Sequence, residues 1–350
     1  MQVLRAAVVG LGNIGTEHAR ALAHTPAARL VGVCDRSATT ARACAERWGL
    51  TAGAYVDVAD LLATTRPDVV HIATPPSSHV PLALQCLKAG AHVLVEKPLS
   101  ADPRELETLL QVAEAEGLHV IENYNYLWNR QVVSLREWMA QGRLGDILHV
   151  DVEVALDVLG DKSPLVTGHG QPFVLELRGG LVADFLPHLA SLANAFLGPH
   201  EAAHSVWSRR SESRLASDEW RALVQHGSGT SSLGFSANAK PAGFRLTVVG
   251  TQMRARAELY GTLLTVETDR RAAGPLEPVL NGLSVSLAEF SGAVGGLRRK
   301  LDGGPAALEG LWALVDQLYR DLGAGRQPTL GHINVREVNS LVQDLLRNAP

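Results

Sequence analysis

The stretch Val3–Val9 followed by Gly10-Leu11-Gly12-Asn13-Ile14-Gly15 limits what this chain can become more than any other. An apolar, β-prone run that ends in glycines spaced G-x-G-x-x-G, with a helical period starting at Ile14, reads as strand, tight turn and helix in that order. Glycines at those spacings let the backbone turn sharply and bring N–H groups at the helix mouth close to an anion such as a pyrophosphate. Asp35 stands 20 residues beyond Gly15, at the end of a second β-rich run, where a carboxylate can accept hydrogen bonds from a ribose diol. Gly10, Gly12, Asn13, Ile14, Gly15 and Asp35 are therefore candidate dinucleotide-binding residues; the plain alternative is an incidental glycine turn in an α/β domain. Asp35 favours NAD, because a carboxylate there repels the additional phosphate of NADP. Arg36 beside it can stack on adenine or pair with a 2′-phosphate, which leaves NADP open, or it is a solvated charge at a helix entry.

The first third repeats this alternation. Strand patterns at Val3–Val9, Arg29–Cys34, Asp68–Ile72, His92–Val95 and Leu118–Glu122 are separated by helical patterns at Ile14–His24, Ala38–Trp48, Asp57–Thr65, Val80–Ala89 and Pro103–Glu116. The rhythm is that of six strands, five of them with a run of their own, and it implies a doubly wound parallel sheet. After residue 123 it changes. A helix at Val132–Ala140, a turn at Gly142–Gly145 and a long strand at Ile147–Val158 lead to a helix at Gly180–Leu197. Strand patterns then follow near 203–209, 218–226, 231–238, 244–250, 253–260 and 263–267, which suggests an open, mainly antiparallel sheet. Residues 268–303 give no clear assignment, and Ala306–Leu322 and Val335–Leu346 read as closing helices. The expected domains are 1–123 and 124–350, consistent with about 150 residues per domain.

Composition removes several classes of function. Thirty-two Lys and Arg against 36 Asp and Glu give a net charge of −4, without the basic stripe that nucleic acid requires. Cys34, Cys44 and Cys86 are too few and too irregular for a disulfide framework or a zinc site, so no metal is expected and a reducing, cytoplasmic setting is favoured. Neither a signal-peptide pattern nor an uncharged stretch of about 18 residues is present, so export and a membrane span are not expected. Only five of the cations are lysine, at 88, 97, 162, 240 and 300, so a lysine at a strand end is informative.

Two further segments fall just after predicted strands, at the sheet edge where ligands bind in such folds. Ala73-Thr74-Pro75-Pro76-Ser77-Ser78-His79 makes Thr74, Pro75 and His79 cofactor candidates, although a rigid turn with a serine cap explains much of it. Glu96-Lys97-Pro98 is the sharper signal: a partly desolvated ammonium beside a redox cofactor can donate a proton or hydrogen bond to a reacting oxygen. The alternative is a water-exposed strand end.

In combination and order, GLGNIGTEHARAL at 10–22, ATPPSSH at 73–79, VLVEKPLS at 93–100 and GRLGDILHVDVE at 142–153 resemble the Gfo/Idh/MocA family of glucose-fructose oxidoreductase and inositol dehydrogenase, nearly end to end. The resemblance implies an N-terminal Rossmann domain, a C-terminal α+β domain, a nicotinamide dinucleotide, and a sugar, cyclitol or related polyol as substrate. It also implies a homodimer or homotetramer and a helix carrying Asp and His four apart, here Asp184 and His188. Residues i and i+4 share a helix face, so Asp184 can orient the imidazole; capping by Asp184 and a partly buried His is the bland reading. Pro187 between them suits only a first helical turn, which makes Asp184 a candidate N-cap. At 123–130 the chain has Leu127-Trp128 where many relatives have Arg-Phe; Asn125 is expected to face the cofactor, and Tyr126, Trp128 and Arg130 are candidates for the substrate pocket or for ordinary packing.

The expected activity is hydride transfer between nicotinamide and a carbinol carbon, with His188 as acid/base, Lys97 assisting at the oxygen and Asp184 orienting. Alternatives are a redox-neutral cleavage through transient oxidation, and a dinucleotide-binding sensor without catalysis.

Overall fold

The computed structural model describes residues 2–50, 52–167, 173–261, 263–269, 271–301, 308–329 and 331–350. The chain forms two compact units, Met1–Asn125 with Gly310–Arg336, and Tyr126–Glu309 with Glu337–Pro350.

In the first unit, β1 (Leu4–Val9), α1 (Asn13–Ala23), β2 (Ala28–Cys34), α2 (Ala38–Arg47), β3 (Ala54–Tyr55), α3 (Val58–Thr65), β4 (Val69–Ile72), α4 (His79–Lys88), β5 (His92–Val95), α5 (Pro103–Ala115) and β6 (Val120–Glu122) alternate along the chain. The six strands are parallel in the order β3-β2-β1-β4-β5-β6. The order reverses between β1 and β4, and ligands bind outside the carboxyl ends of strands at such a switch point. Val69, Val70, His71 and Ile72 of β4 are all buried, as expected of a central strand covered on both faces. The core between sheet and helices includes Val9, Leu61, Val70, Ile72, Leu87, Val93 and Leu109, and Val335 of the returning segment. Each such side chain contributes roughly 1.5–3 kcal/mol by leaving water. β3, two residues long, is the strand that has no run of its own in the sequence.

In the second unit, α6 (Arg130–Ala140), β7 (Ile147–Ala155), a short α7 (Pro164–Thr167) and α8 (Gly180–Leu197) precede β8 (His200–Ser208), β9 (Glu219–His226), β10 (Gly229–Ser236), β11 (Gly243–Gly250), β12 (Met253–Glu258) and β13 (Leu264–Thr268). The sheet runs β13-β12-β11-β7-β10-β9-β8, antiparallel except for the β7–β10 pair. Val150, Val152 and Val154 of β7 are buried and alternate with Asp151 and Glu153. The buried side packs α8, a helix long and apolar enough to cross a membrane but here a core element.

One expectation is corrected, that for Pro187, and one unassigned stretch is filled in. Residues 268–303, left unassigned by the pattern, hold α9 (Glu277–Leu301), a 25-residue helix. Its Val279, Leu283, Leu287, Phe290 and Val294 recur at spacings of three and four, so they form an apolar stripe along one face of the helix, and all five are exposed. The closing helices are α10 (Glu309–Gly323) and α11 (His332–Leu345); the expected start at Ala306 lies outside the described residues. Pro187 does not start a helix: it is the eighth residue of α8, the N-cap is Gly179, and Asp184 lies inside the helix rather than at its cap. An interior proline removes one backbone donor and crowds the turn before it, but 15 of the 18 residues of α8 are buried, and burial on that scale outweighs the loss.

Candidate active site

Strand register alone aligns the candidate residues of the first unit. Val9 pairs with Cys34 and Ile72, Ile72 with Val95, and Val95 with Glu122. The next residue of each strand, Gly10, Asp35, Ala73, Glu96 and Asn123, therefore falls in one row along the carboxyl edge. Sequence-predicted Gly10, Gly12, Gly15, Asp35, Thr74, Glu96 and Lys97 are brought to this edge.

The glycine turn has the features that a dinucleotide requires. Gly10 has φ +86°, and a Cβ there would lie 2.6 Å from the Ala73 carbonyl oxygen; a Cβ on Gly15 would overlap the Gly10 carbonyl. A Cβ on Gly12, by contrast, meets nothing within 4 Å. Gly12 is the N-cap of α1 without a side-chain cap, and the first turn carries no acid, so the positive end of the helix faces outward uncompensated. Asn13 is exposed and Ile14 half-buried in that turn. Asp35 Oδ2 accepts the Leu11 N–H at 2.9 Å and Oδ1 the Ser37 N–H at 2.9 Å. A carboxylate has about four acceptor positions, so two remain for a diol. Arg36 is exposed beside it.

His79 ties two loops of the edge together: Nδ1 is 2.9 Å from the Pro98 carbonyl and Nε2 2.7 Å from the Thr74 carbonyl. Burial lowers the basicity of this ring more than the two carbonyl acceptors raise it. Ser78 Oγ donates to Thr74 Oγ1 at 2.8 Å, and Pro75 at the tip is exposed. These contacts give His79 a bracing role in the loop that carries Thr74.

Glu96 is buried, and Lys97 beside it is half-buried. Burial pushes the Glu96 carboxyl up, but the hydrogen bond and charge of His18, the Lys97 ammonium and the Asn123 amide together hold it down to about 2. The neighbouring Glu122 behaves oppositely: burial dominates, and despite hydrogen bonds from Tyr124 Oη (2.6 Å) and Leu99 N–H (3.0 Å) its carboxyl is pushed up to about 7. Asn123 Oδ1 is buried without a hydrogen-bond partner, an orphaned acceptor on the edge that suits a bound donor such as a carboxamide. Asn125 opens a 3₁₀ turn, Asn125–Trp128, and is buried. Sequence reasoning missed His18 and Asn123. His18 sits inside the GLGNIGTEH motif, whose extension past the third glycine was its available signal.

In the second unit, Asp184 and His188 are both buried on α8, one turn apart on an unbroken helix. The Tyr126 ring stands edge-on to His188, with centroids 4.7 Å apart, and also packs on Phe244; Phe185 flanks the histidine at 6.0 Å. Burial, Tyr260 and the Asp184 charge all raise the Tyr126 hydroxyl above its ordinary range, and Tyr126 donates its hydroxyl hydrogen bond to Tyr260. Tyr260, which the sequence did not single out, is itself pushed up to about 12 by burial, although the hydrogen bond from Tyr126 works the other way. The Trp128 indole Nε1 is buried without a hydrogen-bond partner. Arg130 is exposed and ion-paired with Glu309 at 3.4 Å. A separate concavity of about 740 Å³ lies on the open face of the sheet, lined by Asp151, Glu153, Arg221, Leu223 and Arg245; Asp184 and His188 are not among its lining residues.

Residues 4–124 match an oxidoreductase family with an NAD-binding Rossmann fold, and residues 132–256 match the Gfo/Idh/MocA C-terminal domain. The chain belongs to the Gfo/Idh/MocA oxidoreductase family. Among curated members, it is 30% identical over 199 residues to dTDP-3,4-didehydro-2,6-dideoxy-alpha-D-glucose 3-reductase of Streptomyces violaceoruber, covering 57% of this chain and 56% of that protein. It is 31% identical over 197 residues to D-glucoside 3-dehydrogenase of Escherichia coli K12, covering 56% and 54%. The matched region thus spans about half the length of these relatives. The crystal structure of an oxidoreductase from Agrobacterium radiobacter in complex with NAD+, L-tartaric acid and magnesium has the same fold, with TM-score 0.79 and 17% identity over 99% of this chain and 97% of that one. The Gfo/Idh/MocA assignment accounts for the parallel sheet with its glycine turn and for the mixed second sheet.

Proposed function

We propose that the protein is an NAD-dependent oxidoreductase that moves hydride between the nicotinamide and a carbinol or carbonyl carbon of a sugar, cyclitol or related polyol derivative. The observation that carries this reading is the pair Asp184 and His188, buried one turn apart on a continuous helix, in a chain whose other unit has the glycine turn and the Glu96-Lys97 edge of an NAD-binding fold.

The residues that would hold NAD fit it. Gly10, Gly12 and Gly15 keep the turn open, the α1 N-terminus with Asn13 and Ile14 receives the pyrophosphate, and Asp35 takes the ribose diol. Asp35 disfavours a 2′-phosphate, so NAD rather than NADP is the coenzyme. Thr74, Pro75, His79, Glu96 and Asn125 complete the coenzyme side, to which we add Asn123 through its orphaned Oδ1. When bound, NAD supplies the hydride acceptor.

The protein's own groups handle the proton. In the oxidation direction the imidazole of His188 takes the hydroxyl proton, Asp184 orients that imidazole, and Lys97 donates a hydrogen bond to the same oxygen. Tyr126 and Trp128 contact substrate hydroxyls: Tyr126 packs against His188, and the Trp128 N–H is a buried donor that lacks an acceptor. The open face of the second sheet carries exposed Val206 and Leu223, and a second copy covering it gives a homodimer or homotetramer. The compartment is cytoplasmic, in keeping with three free buried cysteines. The test is to mix protein, NAD and a panel of sugars and cyclitols and follow NADH absorbance. A stoichiometric rise supports the dehydrogenase, whereas substrate cleavage without net absorbance change supports the redox-neutral route.

A further inference from the structure

α9 has an inner and an outer face. On the inner face the Asn281 side chain binds the backbone of Thr268 at the end of β13, accepting its N–H at 3.3 Å and donating to its carbonyl at 3.0 Å. A Cβ on Gly292 would lie 3.1 Å from Leu263 Cδ1, so the helix closely approaches the residue that leads into β13. Asn281, Ser284, Ala288 and Gly292 on this side are half-buried.

The outer face carries Val279, Leu283, Leu287, Phe290 and Val294, each more than half exposed. At about 100° per residue the five fall within an arc of about 80°. A helix that faces a core has a wider apolar stripe; the narrow kind is the seam through which one helix meets another. A continuous exposed apolar strip of this length marks an interaction site.

The stripe matches itself when a second copy runs antiparallel. Positions 279 and 294 straddle the midpoint between 286 and 287, and so do 283 and 290. A two-fold axis through that point sets Val279 against Val294 and Leu283 against Phe290, and brings the two Leu287 side chains together at the centre. An isologous contact demands such self-complementarity. The ends match in charge as well: Glu277 opens α9, and the sequence closes it with Arg298, Arg299 and Lys300. Antiparallel packing brings the acidic opening of each helix to the basic close of the other and opposes their macrodipoles. A lipid surface fits less well, because from Glu277 to Val294 the chain has two acids, Glu277 and Glu289, and no Lys or Arg to meet anionic headgroups.

We propose that the outer face of α9 seats a second copy of this chain: two α9 helices pack antiparallel about a two-fold axis beside Leu287. The contact shares no residue with the sheet-face pairing proposed above and does not rest on the oxidoreductase reading. With both contacts made the assembly is a tetramer; with this one alone it is a dimer.

The test is the mass in solution, by sedimentation equilibrium, of the unaltered chain and of the double variant Leu287→Glu, Phe290→Glu. No described residue of α9 is buried, so the two substitutions leave the fold in place, and circular dichroism checks this. The expected result is a two-fold fall in mass, from tetramer to dimer or from dimer to monomer. Orientation is read with a short bis-maleimide. Val279→Cys and Val294→Cys in the same chain give a covalent dimer, while either alone does not, because like positions lie roughly 22 Å apart along an antiparallel pair. Cys34, Cys44 and Cys86 are buried and stay out of the reaction. A monomeric unaltered chain, an unchanged mass in the folded double variant, or a covalent dimer from Val279→Cys alone overturns the proposal. The second of these outcomes leaves the stripe to a different protein, and the third makes the pair parallel.

Discussion

Asp35 and Leu11 are joined by a hydrogen bond of 2.9 Å that ties the end of the second strand to the glycine turn following the first. One carboxylate thus braces the turn and leaves lone pairs for a ribose. Asp35→Ala removes both, and a charged hydrogen-bond acceptor of this kind is worth about 1.5–3 kcal/mol. The expected result is a dissociation constant for NAD raised roughly 10–100-fold and a smaller preference over NADP, measured by titration calorimetry. Unchanged affinity for both coenzymes removes Asp35 from the site.

Glu122 predicts a pH dependence of stability. Its folded-state value of about 7 lies above the ordinary 4.5, so its contribution is fully present below 4.5 and is lost as pH rises to about 7. Glu122→Gln mimics the protonated form and is expected to flatten this part of the stability curve, with a gain on the order of 2 kcal/mol at pH 8. Urea unfolding of both proteins at pH 5 and pH 8 measures it; parallel curves at the two pH values contradict it.

Glu96 has the opposite sign. Held down to about 2, it stabilises the fold above 4.5 and loses that contribution as pH falls toward 2. Acid unfolding followed by circular dichroism is therefore expected to start at a higher pH in Asn123→Ala, which lacks one donor to the carboxylate. An identical acid midpoint counts against the amide as a partner of the charge.

Tyr260→Phe removes the acceptor of the buried Tyr126 hydroxyl and leaves the aromatic packing in place. The expected loss is about 1–2 kcal/mol of stability by urea unfolding. With a substrate in hand, the constant that suffers is KM, since Tyr126 is proposed to hold a substrate hydroxyl and to take no proton.

The first sheet was legible because its signals are local: a run of buried residues, a glycine turn, a cap. His92–Val95 and Gly180–Leu197 are found at their expected bounds. β3, at two residues, is too short to show a period, and the helical spacing of α9 is masked by four glycines within it, Gly282, Gly292, Gly295 and Gly296, which are poor helix formers. Pro187 misled because a local penalty was weighed without the packing that outweighs it. The charge state of Glu96 depends on a histidine 78 residues earlier and that of Tyr126 on a tyrosine far along the chain, and no spacing rule relates such partners before the strands are aligned. The register of β1, β4, β5 and β6 supplied that alignment.

The proposed transfer of hydride from a carbinol carbon to NAD, with Lys97 and His188 managing the proton, is open to isotopic labelling. The most direct measurement uses sugars and cyclitols deuterated at carbon, incubated with protein and NAD, with mass spectrometry of the nicotinamide and of the recovered sugar. At least one substrate is expected to pass deuterium to NAD, and Lys97→Met and His188→Ala are expected still to bind NAD while transfer slows about 100-fold or more. Bound NAD that takes no deuterium from any member of the panel, or variants that transfer it at the original rate, contradicts it.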